Sequence, residues 1–180
     1  MQNQSPLRQA VLGYEVLSKA ASSLQSVFLL AIRLYWGWQL AQTGWGKLQH
    51  LSKVTNFFMS LGIPAPAFSA VAISWLELVG GICLALGIGS RRWGFLVASD
   101  MFVAYLTASR SNLLAIFSDP SKFYGDDAYT FLFASLLILI FGPGRFSFDA
   151  ILKRALLPKQ YNQTPAANVS SARPASEPLP

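Results

Sequence analysis

Three ionisable residues stand inside apolar stretches of this 180-residue chain: Arg33, Glu77 and Asp100. Each costs at least ~2.5–3.5 kcal/mol at the centre of a membrane helix, so each should face a protein interior and find a partner. Two roles fit one cation set against two acids. In the architectural role, Arg33 pairs with Glu77, Asp100 is protonated or bonded to a Ser or Thr, and the cluster fixes helix register. In the chemical role, the unbalanced carboxyl group handles protons beside a quinone or another small ligand. A second polar set comprises Lys47, His50, Asp126 and Asp127, with Trp45, Lys53 and Tyr124 nearby.

Other chemistries are excluded by supply. His50 is the single histidine and Cys83 the single cysteine. They leave no disulfide framework and no multi-Cys zinc or iron–sulfur site within the chain. A Ser/His/Asp or poly-His site would need ligands from a partner, and no metal site is expected. His50 reads as a solvated edge residue, Trp45 as an aromatic-belt anchor and Cys83 as a small packing residue. No phosphate-binding Gly loop, nucleotide fingerprint, haem-attachment motif or nucleic-acid-binding motif is present.

The elements that must position these residues are apolar helices. Hydrophobic residues make up 53% of the chain and charged residues 12%, about half the charge of an ordinary soluble domain. Four stretches approach the ~20 residues needed to cross a bilayer: about 24–46, 65–88, 93–108 and 128–142. The last is short. Spanning segments satisfy their own backbone hydrogen bonds, so these are predicted helices. The fold expected is an all-α, integral membrane four-helix bundle with short loops, occupying residues 24–157. Residues 1–23 form an N-terminal segment with the makings of a short interfacial helix, and no signal peptide is read there. Residues 158–180, rich in Pro, Ala and Ser, are predicted to be a disordered tail.

Depth and phase bring the three charges together. At 1.5 Å per residue, all three lie roughly 10–17 Å from one end of the bundle. Arg33, Trp36, Gly37, Leu40, Gly44 and Lys47 share one face of the first helix, and its glycines permit close helix approach. Ser74, Glu77, Gly81 and Leu84 share a face of the second. Asp100, Ala104, Thr107 and Ser111 form a small, polar stripe on the third.

Loop charge sets the predicted orientation. One side carries Arg8, Lys19, Arg91, Arg92, Arg145, Lys153, Arg154, Lys159 and Arg173; the other carries Lys47, Lys53, Arg110 and Lys122. Both termini are therefore expected in the cytoplasm, with the chain in the cell inner membrane.

Three motifs carry a family resemblance. The first is Arg33 with Gly37, followed by Gly44-Trp45-Gly46-Lys47-Leu48. The second is Leu61-Gly62-Ile63-Pro64, leading to Trp75-Leu76-Glu77-Leu78-Val79-Gly80-Gly81 and Leu86-Gly87-Ile88-Gly89-Ser90-Arg91. The third is Gly142-Pro143-Gly144-Arg145-Phe146-Ser147-Phe148-Asp149. Over about residues 28–152 the sequence resembles the DoxX family of small four-helix membrane proteins. Asp100 departs from the family, where an apolar residue is expected. The resemblance implies a membrane subunit of a redox complex; some relatives belong to thiosulfate:quinone oxidoreductase or to thiol and oxidative-stress systems. It assigns no catalytic residue.

The expectation is a membrane subunit with a quinone-accessible site at the Arg33/Glu77 layer. The chain alone binds no redox cofactor, quinone is the small molecule expected, and a protein partner brings the redox centre. The alternative is a non-enzymatic membrane protein, either a small-solute carrier or an assembly scaffold for an exported partner.

Overall fold

Glycine and proline mark most of the helix boundaries in the computed structural model, which describes the backbone of residues 6–156 and the side chains of residues 11–156. Among the described residues there are eight helices and no strand. They are α1 (Pro6–Gln49), α2 (Leu51–Ser60), α3 (Pro66–Leu86), α4 (Ser90–Thr107), α5 (Arg110–Leu114), α6 (Pro120–Tyr124), α7 (Asp127–Phe141) and α8 (Phe148–Leu156). Pro66 opens α3 in its first turn, where a missing N–H costs nothing. Gly87 ends α3 in the left-handed conformation (φ 78°) and sends its N–H back to Cys83; Gly89 (φ 57°) then turns the chain into α4.

Four of these helices make the core. α1 packs along α3 and α4 along α7, while α3 also meets α4 and α1 meets α7. Ile32, Leu40, Leu84, Val97, Met101, Phe131, Ala134 and Ile138 fill the space between them. The α1–α3 seam is made by glycine. A Cβ on Gly37 would lie 2.8 Å from the backbone of Ala85 and Gly81, and one on Gly81 would lie 2.5 Å from the Ala41 nitrogen. Only residues without a side chain allow the two backbones to approach so closely.

Two helices are long and apolar enough to cross a membrane: the Val11–Gln49 part of α1, and α3. The other two expected spans fall short of that test, because α7 has 15 residues and α4 carries Arg91, Arg92 and Asp100 within its 18. The boundary expected near residue 24 is not an element boundary. Residues 6–23 are the first turns of α1, since Ala, Leu, Gln, Glu and Lys continue the helix with no proline to stop it. Four short helices are additional to the expected four spans: α2, α5, α6 and α8. α2 lies over α3, and α8 returns to the α3–α4 turn through a hydrogen bond from the Asp149 N–H to the Gly87 carbonyl. The tail expected at 158–180 lies outside the described residues.

Candidate functional site

The buried charges resolve into two places. Arg33 is fully buried near the α3–α4 turn. Its guanidinium donates to the carbonyls of Leu84 (2.9 Å), Ala85 (3.1 Å) and Pro143 (2.5 Å). The first two are among the last carbonyls of α3, which have no partner within the helix and sit at its negative end. Arg33 therefore caps α3 and ties it to the segment after α7. The expected pairing of Arg33 with Glu77 does not form.

Glu77 takes Lys47 as its cation instead, with Nζ 2.5 Å from Oε1. The glutamate is 2% exposed while the lysine side chain is 35% exposed, so the pair runs from water into the interior. Glu77 Oε2 and Asp100 Oδ2 are both buried without a hydrogen-bond partner. Such atoms are rare, because an unsatisfied buried acceptor bears its full desolvation cost.

Both carboxyl groups border one cavity of about 160 Å³. Its walls are mostly apolar: Val54, Phe57, Phe58 and Leu61 come from α2 and its end, Ile63 from the following loop, Ile73 from α3, and Val103 and Ala104 from α4. Lys47, Glu77 and Asp100 supply its charge. A ~150 Å³ apolar cavity accepts a molecule as large as benzene, so this space suits a single ring. The α2 wall was missing from the expected site. Its signal lay in Leu51, Val54, Phe58 and Leu61, which recur at helical spacing.

The second polar set divides. Lys47, Asp126 and Asp127 line a wider cavity of about 370 Å³ with Thr43, Ser109 and Phe131. Asp126 also caps α7, accepting from the Ala128 N–H (2.9 Å) and from Asn112 Nδ2 (2.8 Å). His50 stands apart at the α1–α2 junction, exposed, with Nδ1 3.0 Å from the Gly46 carbonyl. Trp45 faces outward. Sequence reasoning had quoted Asp149 only within a motif. Its carboxylate accepts from the N–H groups of Gly89 (2.8 Å) and Ser90 (3.0 Å), capping α4 from α8.

"Putative oxidoreductase CatD" of Bacillus subtilis (strain 168) is 34% identical over 64 residues, covering 36% of this chain and 46% of that protein. The chain thus spans about half the length of that relative. No solved structure matches it. The DoxX family model matches residues 28–110, a stretch that holds Arg33, Lys47, Glu77 and Asp100. Residues 28–110 are thus similar to the DoxX family.

Proposed function

We propose that this chain is a four-span protein of the bacterial inner membrane, with both termini cytoplasmic, and that it serves as the quinone-binding membrane subunit of a redox complex. α1, α3, α4 and α7 are the spans in this reading. Support comes from their outer faces, where Tyr35, Trp38, Trp75, Phe95, Phe102 and Ile140 are all exposed. An apolar exterior of that extent suits lipid better than water.

The observation that carries the functional reading is the ring-sized apolar cavity with two unpartnered carboxyl oxygens, Glu77 Oε2 and Asp100 Oδ2. These residues fit a quinone, whose carbonyl oxygens need hydrogen-bond donors, because a protonated carboxyl group is such a donor. A bound quinone would supply two-electron, two-proton chemistry, with its electrons drawn from a donor centre on a partner protein. Glu77 and Asp100 hold protons toward the oxygens of the ring. Lys47 fixes Glu77, and the α2 wall excludes water. The name of the Bacillus relative agrees with redox chemistry. Thiosulfate oxidation by the partner is the specific form of the reading.

A carrier would need the same layer open to both faces, whereas Arg33 and the Gly87 turn fill one end. A scaffold needs no cavity. The deciding experiment is photolabelling of the full chain in proteoliposomes with an azidoquinone. Crosslinks on α2 and α4, competed by short-chain quinone and lost in Glu77→Gln, are expected. Labelling spread evenly over the outer faces would overturn the reading, as would full activity of the complex with Glu77→Gln.

A further inference from the structure

The two cavities are joined by shared walls. Lys47, Phe57, Glu77 and Ala104 border both, so the ion pair stands between the ring-sized pocket and the wider space at Asp126 and Asp127. At about 370 Å³, that space has room for on the order of ten waters at ~30 Å³ each. Lys47 is partly exposed and Glu77 almost wholly buried, which places the pair across the boundary between wet and dry.

The opposite direction is closed. Between the carboxyl layer and Arg33 the core leaves a void of about 10 Å³, bounded by Leu40, Leu84, Val97, Phe131 and Ile138 with few polar neighbours. A water needs at least ~10–15 Å³ and two or more polar partners. Ser135, which borders the void, already spends its hydroxyl on the carbonyls of Phe131 and Leu132. Arg33 has committed its guanidinium to three carbonyls.

We propose that the Lys47–Glu77 pair is a one-sided proton gate, through which Glu77 and Asp100 exchange protons only with water on the face that carries Asp126 and Asp127. When the Lys47 ammonium swings toward those aspartates, Glu77 takes a proton from vestibule water on the oxygen that lysine vacates. Rotation of the neutral carboxyl group turns that proton into the pocket, where it passes to the Asp100 carboxylate or to a ligand oxygen, and Lys47 returns to the carboxylate left behind. Each proton delivered inward is replaced by one from that face, and no charge crosses to the Arg33 end. The groups facing the carboxyl pair are Lys47 from α1, with Asp126 and Asp127 of the vestibule at the start of α7; α2 contributes Val54, Phe57 and Phe58, none of which titrates. The gate rests on the quinone reading for its purpose, but its sidedness is measurable with no quinone present.

The test is pulse labelling of the full chain in oriented, proton-tight proteoliposomes with a hydrophobic carbodiimide, which reacts with protonated buried carboxyl groups. Modified Asp100 and Glu77 peptides are quantified by mass spectrometry after a pH jump on one face. Labelling should follow the pH of the Asp126/Asp127 face, by up to about tenfold per pH unit for a single titrating group. It should stay constant when only the other face is changed. Ser109→Phe, which fills the wider cavity and does not border the ring-sized pocket, should abolish the response while azidoquinone labelling persists in a folded protein. Labelling that follows the Arg33 face, both faces or neither would overturn the gate. Loss of quinone labelling with sided carbodiimide labelling intact would instead remove the quinone and leave the gate standing.

Discussion

Arg33 and Lys47 lie on one helix, fourteen residues and so ~21 Å apart, and they satisfy buried charge in opposite ways. Arg33 spends its cation on carbonyls, Lys47 on a carboxylate. Arg33→Leu would strand the Ala85 and Pro143 carbonyls and leave the Leu84 carbonyl with the Gly87 N–H alone. Charged hydrogen bonds contribute ~1.5–3 kcal/mol each, so a loss of about 3 kcal/mol or more is expected, read as earlier thermal unfolding in detergent. Arg33→Lys should fall between, because an ammonium cannot span all three acceptors. For the pair, Lys47→Met should destabilise more than Lys47→Met combined with Glu77→Leu, since the single change leaves a buried carboxylate alone. A double-mutant cycle measures the difference, and equal stabilities would contradict it. The sequence identified these residues by the cost of burying them, but not who partners whom. The depth of Arg33 was counted from residue 24, where α1 does not begin. Long side chains also lean toward the N-terminus of their helix. That direction carries Arg33 out toward the α3 end and brings Lys47 down to Glu77.

At the level of elements, the glycine seam sets how α1 and α3 meet. Gly81→Val would push side-chain atoms into the Ala41 backbone and is expected to cost about 1–3 kcal/mol. Gly13→Ala is the contrast: a Cβ there meets nothing within 4 Å, so helix propensity alone should stabilise by ~0.5–1 kcal/mol. Thermal unfolding of both variants checks the pair of signs. Asp149→Ala removes both side-chain bonds at the α4 start and should free α8, seen as faster proteolysis after Leu152 with α4 retained. The helices at the four apolar stretches were legible from the runs themselves, though only α1 and α3 reach the length and apolarity of a span. α2 was legible in principle from its period. The α8 contact was not, because Asp149 acts on Gly89 and Ser90, some sixty residues earlier in the chain. Local pattern carries no trace of so remote a partner.

For the molecule as a whole, the outward aromatic and aliphatic residues and the asymmetric loop cations argue for the same placement in a bilayer. A phosphatase fused after residue 157 should be inactive in intact cells, and one inserted at residue 118 active; the reverse pattern would invert the topology. With the bilayer so placed, α1 gains a significance beyond packing. Its 44 residues make a rod of about 66 Å at 1.5 Å per residue, against ~40–45 Å for a bilayer with its headgroups. Its first buried side chain among those described is Ser26, twenty residues in from Pro6. In the proposed placement the helix would act as a mast: it would carry its first turns roughly 20 Å clear of the lipid, and anything moored there would ride above the membrane at a height fixed by the length of α1.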